Sequence, residues 1–424
     1  MNHRGHSSGG ICIFYGLCLS LLVPCSLPAQ TTNSVELAQL IKQYKYKEST
    51  VRPPQGLLKY EYLVPGGKYS RLFDWDMNFI GVALSYDGKG MELAHSVQDF
   101  LLFTDVSDAR RGWTPREITP EAPEALPQMC KPFLAQAALR ATRTMGNINW
   151  LRDHYGALAS PLQFWETARR ANDGLFRWFN GGESGVDNNP AVSSYPTDVT
   201  EGVDLQCYLY REYVAMAILS RKLGHTTQGG EFQQQADDLK RLIQQKMWSE
   251  ADGIFLNIDS RTGQFVRIKS WTNFVPLWAG VATREQAQRM IRQHLLNPGE
   301  FWAPSGIRTL AADEPLYDPQ SGYWRGPVWV VSNYLLMHGL MNYGFQREAR
   351  EIAAKTVSLL LRDLLVHGCM SENYQPETGE PARCERLVGW NLLAEHMQEE
   401  AQTGSDPTNL TDWMLPGEAT PGRK

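Results

Sequence analysis

Apolar residues recur at helical spacing along most of the chain, and strand-like alternation is scarce. VELAQLIKQYKYK (Val35–Lys47) predicts a short amphipathic helix. Trp75–Tyr86 predicts a second, with Asp74 as its N-cap and Gly90–Phe103 as its partner. The same spacing predicts helices over Cys130–Met145, Leu162–Phe179, Val203–Gly224 and Glu231–Trp248. It continues over Trp271–Val281, Thr283–Leu296, Pro327–Tyr343, Glu348–Leu365 and Val388–Glu399. Only ADGIFLNIDSRTGQFVRI (Ala251–Ile268) alternates like a small hairpin.

Short connections alternate with long loops rich in Gly, Pro and Trp. An all-α closed ring of helical hairpins, with its long loops gathered on one face, fits that order. A helical solenoid is the alternative, but no fixed sequence period supports it. No linker with a shift in composition divides the chain, so one domain is expected over residues 30–400. The segment 401–424, rich in Thr, Gly and Pro, is expected to be a loosely held tail.

The first 29 residues read as a removable export signal. Arg4 precedes the apolar run ICIFYGLCLSLLVPCSLPA, and Ala29 offers a small residue for cleavage before Gln30. Pro24 and Pro28 break the run, which is too short for a good spanning helix. An exported chain, periplasmic or secreted, without stable membrane insertion is therefore expected. The net charge of −5 comes with no basic stripe, which argues against a nucleic-acid partner.

Cys12, Cys18 and Cys25 fall in the signal. The remaining cysteines show no ligand spacing, so no metal site is expected. Cys369 and Cys384 could be bridged, or could be buried thiols.

Two acidic loops carry the candidate chemistry. GESGVDNNP (Gly182–Pro190) sets Glu183 and Asp187 among Gly, Asn and Pro, residues that favour turns over helix. SENYQPETGE (Ser371–Glu380) has the same character. The chain holds 13 Trp, 17 Tyr and 15 Phe, enough to line a sugar site as well as fill a core.

These loops, with SGYWRGPVWVVSNYLLMHGL (Ser321–Leu340) and VGWNLL (Val388–Leu393), resemble motifs of glycoside hydrolase family 63. RLFDWDMNFIGVAL and MCKPFLAQAAL are similar to its small bacterial members, the mannosylglycerate and glucosylglycerate hydrolases. The family is related to the family 37 trehalases. The resemblance covers about Leu57–Leu393 and implies an (α/α)6 toroid that hydrolyses an α-glucoside or α-mannoside with inversion, without a cofactor. By position in the motifs, Asp187 matches the general acid and Glu372 the general base.

Hydrolysis needs a proton for the leaving oxygen and a base for water. Asp187 should then be poorly solvated or close to another negative charge, with Glu183 the nearby candidate. Trp75, Asp76, Trp324, Arg325, Trp329 and Trp390 lie in matching motifs as candidates to stack on or grip a carbohydrate; helix core is the alternative for Trp329 and Trp390, and a structural cap or pair for Asp76. Asn188 follows the acid and Tyr374 follows the base. Gln136 is preferred over Lys131, because an amide both donates and accepts. His338, on the apolar pattern LLMHGL, reads as a core histidine.

The stretch AVSSYPTDVTE after GVDNNP departs from the family pattern, so contacts to the leaving group and glycerate recognition are not carried over. A toroidal polysaccharide lyase or uronyl hydrolase, and a non-catalytic glycan-binding toroid, remain the alternatives.

Overall fold

The computed structural model describes residues 29–125, 127–383 and 386–410. Helices dominate, as the apolar spacing predicts. Six helical segments form an inner ring: Asp74–Ser85, Leu134–Met145, Val203–Leu223, Val275–Trp278, Val330–Asn342 and the last pair, Gly389–Leu393 with Ala394–Thr403. Each packs on the next, and Gly389–Leu393 returns to pack on Asp74–Ser85. The ring is closed, and the fold is an (α/α)6 toroid.

Gly90–Leu102, Tyr155–Phe164, Thr226–Leu242, Arg284–Met290 and Gln346–His367 lie outside it. The sixth outer position is filled from the other end of the chain. Ala29–Gln43 packs on Gln346–His367 and Ala394–Thr403. Its apolar face explains the docking, since Leu37 and Ile41 are fully buried.

Several boundaries differ from the sequence reading. The helix expected over Leu162–Phe179 ends at Arg169 in a π-helical turn, because Asn172, Asp173 and Gly174 then make a reversal. Comparable turns end two other outer helices, at Ile243–Met247 and Ile291–Leu295. The Ala251–Ile268 hairpin is present as Asn257–Asp259 paired with Gln264–Val266, with Thr200–Glu201 added at its edge. Other sheets of two-residue strands occur in the loops. They are too short to show a sequence period.

Residues 401–410 are not loose. Ala394–Thr403 is helical, and the segment after it crosses the far end of the ring. Arg140 donates to the Pro407 carbonyl, Arg211 to the Thr408 carbonyl, and Trp278 Nε1 to Thr408 Oγ1 at 2.9 Å. Here His338 is fully buried between Glu400 Oε2 at 3.0 Å and Asp406 Oδ1 at 3.6 Å. Tyr86 and Tyr334 donate to the other Glu400 oxygen at 2.6 and 3.3 Å.

The expected export signal and residues 411–424 lie outside the described residues, as does Cys384. Cys369 is buried. Among the described residues no helix is long and apolar enough to cross a membrane.

Candidate active site

Five of the six inner helices meet one cavity near their N-terminal ends. The cavity has a volume of about 210 Å³. Asp74, Trp75 and Asp76 begin the first inner helix, and Lys131 precedes the second. Asp187 comes from the turn before the third, and Trp324 from the loop before the fifth. Glu372 precedes the last, and Trp390 lies in its first turn. Helix N-termini favour negative charge, so carboxylates gathered at this cavity gain from the peptide dipoles.

The acid-bearing turn is rigidly built. Asn180 Oδ1 accepts from Glu183 N at 2.9 Å and caps the helical turn Gly181–Ser184. Gly185 then turns the chain at φ 77°. A Cβ there would lie 2.6 Å from Lys131 Cε and 2.9 Å from Trp75 Cζ2, so this position needs glycine for space as well as conformation.

Glu183 is engaged in holding the turn itself. It is fully buried, 3.2 Å from Arg169 Nη2, and accepts from Met129 N and Phe179 N at 2.9 and 2.5 Å. Its carboxylate ties the turn to the Pro-rich loop. Asp187 itself is exposed at the cavity, in contrast to the poorly solvated setting expected for it.

The opposite wall carries Glu372, which is 3% exposed. Tyr69 Oη donates to its Oε1 at 3.1 Å and Tyr323 Oη to the same oxygen at 3.3 Å. Val328 and Tyr374 exchange backbone hydrogen bonds at 2.7 and 3.0 Å, stitching the strand that follows Glu372 to the start of the fifth inner helix.

The floor is a buried ion pair under aromatic rings. Asp74 accepts from Lys131 N at 2.7 Å and lies 3.0 Å from Lys131 Nζ, with both side chains 1% exposed. Asp74 is the first helical residue rather than the N-cap, which is Phe73. Trp75 packs on Trp390 at 5.3 Å and on Trp324 at 6.2 Å between centroids.

Asp76 is pushed up to about 8, first by burial and then by the Asp74 and Glu372 charges, with Lys131 pulling the other way. Among the described residues no group of three or more His, Cys, Asp or Glu side chains is placed to hold a metal ion.

Of the residues singled out in the sequence, Trp75, Asp76, Asp187, Trp324, Glu372 and Trp390 line this cavity. Five do not. Gln136 is 2% exposed inside the ring, with its amide used by the Pro132 carbonyl at 2.8 Å and Arg211 Nε at 3.1 Å. Tyr374 turns its hydroxyl onto Asp363 at 2.8 Å. Trp329 lies behind Trp324, stacked at 3.8 Å and 6°. Arg325 points to Asp318 at 3.8 Å. Asn188 spends its amide on the loop opposite, as Nδ2 to the Gly322 carbonyl at 2.8 Å and Oδ1 from Trp324 N at 3.0 Å.

Sequence reasoning missed Tyr69, Phe73, Asp74, Arg116 and Tyr323 in the lining, and passed over Lys131 for Gln136. The signals were available. Arg116 sits in a long Pro-rich loop, a type usually functional, and Lys131 lies on the loop side of its helix start whereas Gln136 lies within the helix.

A family model, the mannosylglycerate hydrolase MGH1-like glycoside hydrolase domain, matches residues 96–390. The mannosylglycerate hydrolase of Rubrobacter radiotolerans is 30% identical over 39% of this chain and 36% of its own length. The cytosolic neutral trehalase of Kluyveromyces lactis is 22% identical over 78% of this chain and 53% of its own. The chain thus spans about half or less of these relatives.

Among solved structures, the GH63 mannosylglycerate hydrolase from Thermus thermophilus in complex with glucose superposes with a TM-score of 0.63. It is 18% identical, covering 86% of this chain and 99% of that one, a likeness of fold. The family match covers most of the ring and both acidic loops, and on that ground the chain belongs to the MGH1-like glycoside hydrolases.

Proposed function

We propose that the protein is an inverting α-glycosidase acting on an α-glucoside or α-mannoside, with Asp187 as general acid and Glu372 as general base. The observation that carries this reading is one small cavity holding both carboxylates, each on its own loop, over a floor of tryptophan rings. At about 210 Å³ it is smaller than the roughly 300–1,000 Å³ of typical drug-sized sites, and suits a single sugar ring. Trp75, Trp324 and Trp390 offer apolar faces to that ring. Lys131 and Asp76 offer polar groups to its hydroxyls, and Asp76, still protonated near neutrality, can donate as well as accept.

In the proposed reaction Asp187 protonates the glycosidic oxygen as the bond to the anomeric carbon breaks. Glu372 takes a proton from a water that attacks the opposite face, so both steps occur in one displacement. A sugar seated in the cavity would displace water from Asp187, which raises a carboxyl's affinity for its proton. The relatives' names supply candidate substrates: a mannosylglycerate and trehalose.

Incubation with these and with nitrophenyl α- and β-glycosides tests the reading. Release from an α-glycoside, with the β-anomer first by proton NMR within minutes of mixing, is expected. First release of the α-anomer would overturn inversion, and no release from any glycoside would favour a glycan-binding toroid.

Export is part of the proposal and rests on residues 1–29 alone. N-terminal sequencing of protein from the native host is expected to begin at Gln30; an intact Met1 in the cytoplasm would refute it.

A further inference from the structure

We propose that Tyr69 and Tyr323 hold Glu372 in its working position, and that Asn188 locks Tyr323 to the turn bearing Asp187. Acid and base would then be placed by one continuous set of hydrogen bonds. This rests on the catalytic reading of Asp187 and Glu372.

The two phenols approach the same carboxylate oxygen from different loops, at 3.1 Å for Tyr69 and 3.3 Å for Tyr323. Hydrogen bonds donated to a carboxylate favour its charged form and fix its rotamer. A base that must be ionised and aimed at a water gains from both.

Tyr323 reaches Glu372 only from an unusual backbone. Its φ is 62°, a left-handed conformation that a bulky residue rarely adopts unless its surroundings impose it. Asn188 imposes it from both sides. Its Nδ2 donates to the carbonyl of Gly322, and its Oδ1 accepts from the amide of Trp324. One side chain therefore brackets the Tyr323 residue. A carboxamide donates from one end and accepts at the other, which both contacts require. The Tyr323 carbonyl is held in turn by Trp329 Nε1 at 2.9 Å.

Asp318 ties the base of the loop, accepting from Ser321 N at 3.0 Å and Ser321 Oγ at 2.7 Å. Asn188 is the next residue after Asp187, so any shift of the acid is felt at Tyr323 and through it at Glu372.

The test is steady-state kinetics across pH on whichever glycoside the protein cleaves, for Tyr69→Phe, Tyr323→Phe, Asn188→Ala, the Tyr323→Phe/Asn188→Ala double variant and Glu372→Gln. Loss of a hydrogen bond to a charged group corresponds to a change of about 10- to 100-fold. Each Phe variant should lose about that in kcat with KM little altered, and the acid limb of kcat/KM should move to higher pH. Melting temperatures should stay near that of the parent protein. Asn188→Ala should reproduce the Tyr323→Phe limb shift, and the double variant should be no worse than the more impaired single variant.

A Phe variant with kcat and acid limb unchanged, or effects of Asn188→Ala and Tyr323→Phe that simply multiply, would overturn the proposal. If Asn188→Ala fails to fold, Asn188→Asp keeps the shape and removes the donor to Gly322. Turnover surviving in Glu372→Gln would instead defeat the catalytic reading, and is distinguishable because it does not depend on the phenols.

Discussion

At one end of the ring Asp76, Asp187 and Glu372 face a cavity; at the other Glu400, Asp406, His338, Arg140 and Arg211 face one another. Both groups are gathered around the ends of the inner helices. At the cavity end the charged groups sit in loops and first turns, where long connections leave room. At the far end they sit deeper along the helices, and the segment 404–410 covers them. The far end satisfies its charges internally: Glu400 meets an imidazole and two phenols, and Arg211 stacks on Trp278 at 3.8 Å while donating to Gln136 and Thr408. The cavity end keeps a carboxyl, Asp76, that burial and two like charges hold protonated to about 8. A cavity lined by a carboxyl held neutral at one end, against charges bonded largely to one another at the other, is the pattern expected of a working site on a stabilising base.

The strongest way to break this contrast is to neutralise each end in turn. Asp187→Asn and Glu372→Gln should each lose about 10²–10⁴-fold in kcat on a substrate with an ordinary leaving group, and unfold as the parent protein does. Near-normal turnover in either would remove its assignment. Glu400→Ala should do the reverse. Removing one partner of a buried charged cluster costs about 3–5 kcal/mol, read by denaturant unfolding, while turnover per folded molecule is retained. Full stability in Glu400→Ala would show that the far end is not the stabilising one.

The sequence made the cavity end easier to find than the far end, for physical reasons. Asp187 and Glu372 stand out because Gly, Pro and Asn surround them, although Glu183 in the same loop is structural. Helices were legible from apolar spacing, and Gly224, at φ 93°, ends its helix where the pattern stops. What spacing cannot give is which turn of an inner helix faces the cavity. Gln136 and Lys131 are five residues apart, yet one lies in the wall and the other inside the ring among Tyr208 and Arg211. Trp329 and Trp324 are likewise five apart, and one ring hides behind the other. Tyr69 and Tyr323 reach Glu372 across 303 and 49 residues, distances that no local pattern encodes. The Thr/Gly/Pro composition of the tail concealed that Asp406 and Thr408 are fastened to the ring.

A finer test uses Asp76. As a protonated, hydrogen-bonding group it should tolerate Asp76→Asn far better than Asp187 tolerates the same change, with the loss appearing mainly in KM. A loss in kcat as large as that of Asp187→Asn would mean that Asp76 is the proton donor. The same variant carries a stability signature. An acid whose folded value lies above its ordinary 3.8 binds more protons folded than unfolded, so its contribution weakens as pH rises from about 4 to about 8. Asp76→Asn should flatten that part of the dependence of melting temperature on pH; an unchanged slope would contradict it.

The smallest expected effect is at the far end. Burial opposes protonation of His338, but Asp406 and Glu400 outweigh it and raise its pKa above the ordinary 6.5. Its stabilising contribution is complete below 6.5 and is lost as pH rises through the folded value. Burial also opposes ionisation of Asp406, but His338, Thr408 and Arg211 lower its pKa below 3.8, so its contribution is lost only as pH falls through that lower value. His338→Gln should remove the decline above pH 6.5 and leave the part due to Asp76 untouched. If the effects of the two variants on that dependence fail to add in the double variant, the two ends are not electrostatically separate.

The N-terminal helix gives the fold a late seal. Ala29–Gln43 has its partners at residues 346–403, so during synthesis it must wait for almost the whole chain before its apolar face is covered. Contacts of such long sequence separation form slowly, because the loop they close is ordered before they contribute. Until then Leu37 and Ile41 remain available to any factor that binds unfolded chains. The same closure makes the finished ring a single cooperative body: loosening the first helix uncovers the last, and the two ends of the polypeptide stand or fall together.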